Sequence, residues 1–223
     1  MTNQRVEVLD KGYVELWDMM GSDLTIVNAA RTSYLGESKG LERDKKLLRY
    51  LYEHQHLTPF EQVTFQFKVK CPLFVARQWM RHRTQSYNEV SRRYTSEELD
   101  FYYPDEWRLQ AKNNKQASDG IFTHVNGVMF DDAFHEHMQR SIDLYDKMIG
   151  SGIAREMARM VLPQNMYTVF VTTVNARNLM HFMALRLDSH SQHEMRLYAG
   201  ALLALFESAL PWTAELFDHE HVI

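Results

Sequence analysis

Alternating apolar and polar positions mark the strands of this chain. Residues 63–70 read VTFQFKVK, and this period of two is typical of a strand with one buried face. Residues 167–174, YTVFVTTV, are rich in β-branched and aromatic side chains and predict another strand. Near the N-terminus, the runs RVEVLD and YVELWDM flank the turn signal DKG and predict a small hairpin.

Apolar residues at helical spacing predict helices between and after these strands. The predicted helical segments are 23–34, 41–56, 72–83, 134–149, 151–163, 175–187 and 188–210. Pro72 suits a first helical turn, Asn175 suits an N-cap, and Pro211 closes the long last helix. Helices and strands do not alternate regularly, so we predict an α+β fold with a mixed or antiparallel sheet flanked by helices.

Length and composition fit one soluble domain spanning 1–223. Of the 223 residues, 45% are hydrophobic and 24% charged, and this length can bury a core. Residues 104–127 turn polar and irregular, which we interpret as a surface excursion, because too little chain lies on either side for two cores. We find no membrane-length apolar run and no signal-peptide pattern, and we expect a cytoplasmic protein without a membrane partner.

The single cysteine, Cys71, bears on compartment and on chemistry. One thiol cannot form an internal disulfide, which favours a reducing compartment. Cys71 lies beside Pro72 at a predicted helix start, where a lowered thiol pKa is one interpretation. The other interpretation, which we favour, is a small buried hydrophobic side chain.

Positive charge is concentrated in one short segment of an otherwise acidic chain. With 25 Lys+Arg and 29 Asp+Glu, the formal charge is −4, which argues against a general nucleic-acid binder. Yet residues 77–94, RQWMRHRTQSYNEVSRRY, hold five arginines against one acid, Glu89. Arginine forks suit phosphate oxygens and planar carbonyl edges, so the segment predicts a site for one small nucleotide. The alternative is a solvated, salt-bridged helix end.

Two later arginines are candidates for anion binding, and a histidine pair is a candidate for metal binding. Arg159 lies among apolar neighbours and Arg186 precedes the predicted last helix; each fits an anion, or half of an internal ion pair. His190 and His193 lie one turn apart beside Glu194, but spacing sets no third ligand, and we expect no metal site.

A signature and a series of ordered blocks connect the chain to a known family. Arg81-His82-Arg83, seven residues and then Ser91 form an RHR-x7-S pattern. Further blocks are AARTS at 29–33, HLTPFE at 56–61, SYNE at 86–89, NAR at 175–177 and LRLDSH at 185–190. With these blocks the chain resembles flavin-dependent thymidylate synthases over all but the 104–127 excursion and the C-terminal tail.

The resemblance implies a homotetramer whose flavin sites are built from several subunits. It implies methylation of dUMP at uracil C5 to give dTMP, as a step of de novo dTMP biosynthesis. Methylenetetrahydrofolate would provide the carbon, and FAD would carry the hydride that NADPH supplies. The resemblance implies no cysteine nucleophile, and Ser91 is expected to bind substrate rather than to attack it.

The resemblance also implies site residues at matching positions. Arg186 is expected to be catalytic, by stabilising negative charge on the pyrimidine, and Arg93 and Arg159 to bind the phosphate. The expected dUMP residues are Gln78, Arg81, Glu89, Val90, Ser91, Arg93, Arg159 and Arg186. The expected FAD residues are Ser33, His56, Thr58, Glu61, Arg81, His82, Arg83, Thr84, Glu89, Asn175, Arg177, His181, Leu185 and His190.

The chain differs from the usual family pattern at three positions, and two other functions compete with the one that the resemblance implies. His181 stands where relatives usually carry asparagine, Arg92 where glycine is frequent, and Thr84 where an apolar residue is usual. A nucleotide-binding protein without turnover is one competitor, but Arg81, Arg186 and His56 are all present. A nucleic-acid binder is the other, and it predicts steeply salt-dependent affinity for single strands.

Overall fold

The computed structural model describes residues 4–95, 99–112, 118–122 and 127–217. Its strands are Gln4–Val8 (β1), Gly12–Met20 (β2), Thr64–Pro72 (β3), Ser86–Glu89 (β4), Arg108–Gln110 (β5), Ser118–Ile121 (β6) and Tyr167–Asn175 (β7). Five strands form one antiparallel sheet in the order β1-β2-β3-β7-β4, and β5 pairs with β6. The predicted α+β class, with an antiparallel sheet and helices, is confirmed.

Helices follow and flank the strands. They are Asp23–Arg31 (α1), Leu41–Glu53 (α2), Leu73–Trp79 (α3), Gly127–Gly150 (α4), Arg155–Ala158 (α5), Ala176–Leu187 (α6), His193–Ala209 (α7) and Pro211–Ala214 (α8). Across the described ranges, we find no helix with the length and apolarity needed to cross a membrane.

The core lies between the sheet and the helices packed on it, chiefly α1, α2, α3, α6 and α7. Alternate residues of β3, including Phe65 and Phe67, are fully buried, as their period of two predicts. The ring centroid of Phe65 lies 5.8 Å from that of Phe206 on α7, so helix and sheet are packed together. Complete burial of one such side chain stabilises the fold by about 2 kcal/mol.

Several predicted helix boundaries are wrong; the helix expected over 41–56, for example, ends at Glu53. The helix expected over 72–83 ends at Trp79, where the Tyr87 hydroxyl lies within hydrogen-bond distance of the carbonyl oxygens of Trp79 (3.2 Å) and His82 (2.8 Å) and stabilises the turn. The last helix begins at His193 rather than at residue 188. The Asp188 carboxylate accepts from the backbone N–H of His190 at 2.7 Å, and this local turn competes with a helix start.

Two other segments differ from expectation. The helix predicted over 151–163 is only α5 and a following 3-10 turn, Arg159–Val161, while α4 begins well before residue 134. The excursion is not wholly irregular, since β5 and β6 pair within it. Trp107 next to β5 packs edge-on against Phe134 of α4, with centroids 5.4 Å apart. Residues 113–117 and 123–126 of the excursion lie outside the described residues.

Substitution of Gly12 should destabilise the fold strongly. A Cβ at this position would lie 1.9 Å from the Tyr198 hydroxyl, which donates to the Lys70 carbonyl oxygen at 2.8 Å. We expect Gly12→Ala to lower the free energy of unfolding by about 2–4 kcal/mol, through overpacking and loss of this buried hydrogen bond. Urea unfolding at equal protein concentration measures this. Gly200→Ala is the control, because its added Cβ meets nothing within 4 Å; equal effects of both changes would contradict the prediction.

Candidate functional site

A concavity of about 370 Å³ at the end of β4 brings together four of the expected dUMP residues: Glu89, Val90, Ser91 and Arg159. We call it the β4 cleft; its other lining residues are Leu73, Arg92, Leu162, Met166 and Thr168. Two arginines on its wall give it positive charge, which suits an anion such as a phosphate. The cleft therefore provides the kind of small-ligand site that the basic segment predicts.

Backbone pairing with β7 builds one wall of the β4 cleft. The Val90 N–H donates to the Val169 carbonyl at 2.9 Å and continues the pairing of β4. The Thr168 hydroxyl donates to the Glu89 carboxylate at 2.6 Å and holds that side chain. Sequence analysis missed Thr168. A threonine on the buried face of β7 was the available signal, since buried hydroxyls require partners.

Arg159 differs from its sequence interpretation. It was expected among apolar neighbours, but it lies in the 3-10 turn after α5 and is exposed. Among the described residues, no carboxylate lies within ion-pair distance of its guanidinium, whereas Arg93 reaches Glu156 at 3.6 Å. Arg159 is thus the cleft arginine that keeps its charge available for a ligand.

Arg186 and His82 form a pair that sequence analysis did not anticipate. Arg186 Nε donates to His82 Nε2 at 2.9 Å, and Arg186 Nη2 lies 3.5 Å from the Gln78 carbonyl oxygen. Burial, with the charges of Arg186 and His181, lowers the pKa of His82 to about 4. The imidazole is therefore neutral at pH 7, accepts at Nε2 and carries its proton on Nδ1. The guanidinium stays charged and is held in a fixed orientation.

The unusual pKa of His82 has a consequence for stability. Its folded pKa of about 4 lies below the ordinary value of 6.5. As pH falls from about 6.5 to 4, the unfolded chain binds a proton here that the folded chain does not, so stability falls through this window. We expect His82→Asn to reduce the drop in melting temperature between pH 7 and 5. Thermal scans at both pH values test this, and an unchanged drop would contradict it.

Expected flavin residues line two further concavities. One, of about 670 Å³, includes Ser33, His56 and Thr58. The other, of about 370 Å³, includes Arg177 and His181. Gln55 lines both, so the two concavities are neighbours.

The end of α2 sets the position of His56. Gln55 has a left-handed φ of 58°, and the N–H groups of Gln55 and His56 donate to the carbonyls of Tyr52 (3.1 Å) and Leu51 (2.8 Å). This is the bond pattern of a Schellman turn, which reverses the chain after a helix. His56 is consequently fixed at the rim of its concavity by backbone geometry.

Other expected flavin residues contact one another or stabilise a helix end. Glu61 and Arg177 form an ion pair across 116 positions of sequence. Asn175 is the N-cap of α6 as predicted, since its side chain accepts from the N–H of Asn178 at 2.9 Å. His190 pairs with Asp188 at 2.8 Å.

Several expected residues lie outside these three concavities. Those that are exposed and line none of them are Arg81, Arg83, Thr84, Leu185, His190 and Arg93. Gln85, also in the basic segment, accepts at its side-chain carbonyl oxygen from Trp79 Nε1 (3.2 Å) and from the Thr172 hydroxyl (2.9 Å). One chain by itself therefore does not gather all the expected residues into one pocket.

The surroundings of Cys71 decide between its two interpretations. Cys71 is fully buried at the end of β3, and burial raises the pKa of its thiol well above the ordinary value. The preferred interpretation, a small buried side chain, is confirmed. Among the described ranges, no group of three or more metal-binding side chains comes together.

Comparison with known proteins identifies the family. A sequence model described as "Thymidylate synthase complementing protein" matches residues 15–212. The chain is 46% identical over 211 residues to the flavin-dependent thymidylate synthase of Thermosipho africanus, covering 95% of this chain and 92% of that protein. It belongs to the flavin-dependent thymidylate synthase family. The expected resemblance is confirmed, and with it the enzyme class, a flavin-dependent methyltransferase.

Further relatives and a solved structure agree with this family assignment. The flavin-dependent thymidylate synthase of Thermus thermophilus is 44% identical over 218 residues, covering 98% of this chain and 79% of that protein. The UMP/dUMP methylase PolB from Streptomyces cacaoi, solved with 5-Br dUMP, superposes with a TM-score of 0.85 at 34% identity. That match covers 95% of this chain and 97% of PolB, so the fold is shared over nearly its whole length.

Proposed function

We propose that this protein methylates dUMP at uracil C5 to give dTMP, with methylenetetrahydrofolate as carbon donor and NADPH-reduced FAD as hydride carrier. The β4 cleft is the observation that carries this proposal, because it joins four of the expected dUMP residues in one concavity. Family membership supports the same reaction. The product would supply de novo dTMP biosynthesis in the cytoplasm.

The nucleotide phosphate would be bound by arginine at the β4 cleft. Arg159 has an exposed guanidinium with no carboxylate at ion-pair distance among the described residues, so it can bond a phosphate directly. Arg93 would add a second cation, since its pairing with Glu156 is long and solvent-exposed. The Ser91 hydroxyl would add a neutral donor from the same wall, where Val90 also lines the cleft.

Arg186 would act on the pyrimidine ring. Its Nε bond to neutral His82 fixes the guanidinium plane, leaving Nη donors for the edge of the uracil. A fixed positive charge at that edge stabilises negative charge on the ring and makes C5 more nucleophilic. This step needs no protein nucleophile. Cys71 could not act as one, because its thiol is buried and its pKa is raised.

The residues of the two concavities that hold expected flavin residues fit a flavin dinucleotide. They offer hydroxyl, imidazole and guanidinium groups, chiefly Ser33, His56, Thr58, Arg177 and His181, that can bond ring carbonyls and phosphates. Arg177 lies in the first turn of α6, whose N-terminus favours negative charge. When bound, FAD would supply the hydride-carrying chemistry of the reaction.

A homotetramer with intersubunit sites would complete the assembly. Arg81, Arg83, Thr84, Leu185 and His190 belong to the expected flavin set but line neither flavin concavity on one chain. Residues from a second copy of the chain would complete each site. Light scattering on the purified protein tests this, and a monomer that forms dTMP would contradict it.

The anaerobic visible spectrum tests the proposed function. Purified protein should be yellow, and NADPH should bleach the flavin band, faster when dUMP is present. Adding methylenetetrahydrofolate should then give dTMP. Protein that stays colourless with added FAD would contradict the flavin reaction, and preferred binding of single-stranded DNA over dUMP would favour the nucleic-acid hypothesis.

A further inference from the structure

Gln78 is connected to the β5–β6 pair by a chain of hydrogen bonds. The Gln78 side-chain amide donates to Gln192 Oε1, and the Gln192 amide donates to Glu194 Oε2 at 2.9 Å. The other oxygen of Glu194 accepts from Arg108 on β5. Arg108 also donates from Nε to the Ser118 hydroxyl of β6 at 3.1 Å. Side chains from separate parts of the sequence are therefore linked in series.

The carboxylate at the centre of this chain is buried and ionised. Glu194 is 2% exposed at the start of α7. Burial raises its pKa, but the hydrogen bond and charge of Arg108, together with hydrogen bonds from its own backbone N–H and from Gln192, outweigh burial, and the pKa ends below its usual value. An ionised carboxylate only accepts hydrogen bonds. Burial of the ionised Glu194 carboxylate would be unfavourable without the charge of Arg108. Glu194 and Arg108 are therefore expected to stay paired.

An acceptor-only group fixes the orientation of each amide that follows. Gln192 must turn its NH₂ to Glu194, so its carbonyl oxygen points to Gln78. Gln78 must then turn its own NH₂ to Gln192, which leaves its carbonyl oxygen and its second N–H for a ligand. The Gln78 backbone carbonyl lies 3.5 Å from Arg186 Nη2, so Gln78 is a direct neighbour of the proposed catalytic arginine.

We infer that Glu194, held by Arg108, is a positioning residue that orients the Gln78 amide through Gln192 for nucleotide binding. The inference rests on the proposed function, in which Gln78 contacts dUMP. It gives the paired strands of the 104–127 excursion a role, since Arg108 is the residue through which they support the site.

A double-mutant cycle on the FAD-loaded protein tests the inference. Gln192→Met keeps the length and shape of the side chain but removes its donor and acceptor. We expect the dUMP dissociation constant from calorimetry to rise about 3- to 10-fold, because Gln78 loses its preset orientation. In a Gln78→Ala background, Gln192→Met should change the dUMP dissociation constant by less than about a further 2-fold, because there is no Gln78 amide left to orient.

Controls distinguish loss of the hydrogen-bond chain from Glu194 to Gln78, which we call the relay, from general destabilisation of the protein and from failure of the proposed function. Gln139→Met removes a similar bond, Gln139 to Asp143 at 2.9 Å, on the exposed face of α4 and should leave dUMP affinity unchanged. Glu194→Gln is the second variant if Gln192→Met does not fold. An amide at position 194 can donate as well as accept, so it no longer dictates the orientation of the Gln192 amide. Equal losses in both backgrounds, or no loss in either, would overturn the relay while wild-type binding upholds the proposed function. Wild-type protein that does not bind dUMP would overturn both.

Discussion

Replacing Arg186 by alanine should abolish most dTMP formation while the protein still folds and holds FAD. The guanidinium is oriented by its 2.9 Å bond to neutral His82, so its charge is already in place when the nucleotide binds. Preorganised donors of this kind contribute most where charge develops during the reaction. We expect the rate at saturating dUMP to fall by about 10²- to 10³-fold.

Single-turnover formation of dTMP with reduced enzyme measures this effect on the chemical step. Retention of the flavin absorbance and of the melting temperature shows that Arg186→Ala is otherwise intact. Arg186→Lys keeps a charge but loses the planar fork and the Nε bond, so it should recover only part of the rate. Arg140→Ala, on the exposed face of α4, is the control for loss of one positive charge. A rate for Arg186→Ala within about 5-fold of wild type would remove this catalytic role.

The strands that sequence analysis located were those with strong side-chain patterns. The alternation at 63–70 became β3, and the hairpin around the DKG turn became β1 and β2. β4 was missed because SYNE has no apolar alternation. Its strand character comes from backbone bonds to β7, with Ser86 opposite Thr173, and such pairing leaves no local signal.

The sequence predicts the site as a set of residues but not as an arrangement. The RHR-x7-S signature placed Arg81 to Ser91 in one site by resemblance. The Arg186–His82 bond joins residues 104 positions apart, and the Gln78–Gln192 bond joins residues 114 apart. Neither contact follows from periodicity or spacing, because both depend on how α3, α6 and α7 pack together. The neutral state of His82 likewise depends on burial that only the folded chain provides.

Removing the charge of Arg159 should weaken binding through the phosphate alone. Arg159 is on the wall of the β4 cleft, is exposed, and has no carboxylate partner at ion-pair distance among the described residues. A charge-assisted bond contributes about 1.5–3 kcal/mol, and solvent screening favours the lower part of that range. We therefore expect Arg159→Gln to raise the dissociation constant of dUMP by about 10- to 30-fold.

Comparing dUMP with deoxyuridine isolates the phosphate contribution. Deoxyuridine lacks the phosphate, so its weaker affinity should be the same for wild type and Arg159→Gln, and the preference for dUMP should shrink in the variant. Arg140→Gln removes the same charge from an ion-paired surface position and should leave both affinities unchanged. Equal losses for dUMP and deoxyuridine would place Arg159 against the sugar or the base, or in the folding of the cleft. Unchanged binding of both ligands would show that the phosphate lies elsewhere, with Arg93 or Arg92 as the next cation to replace.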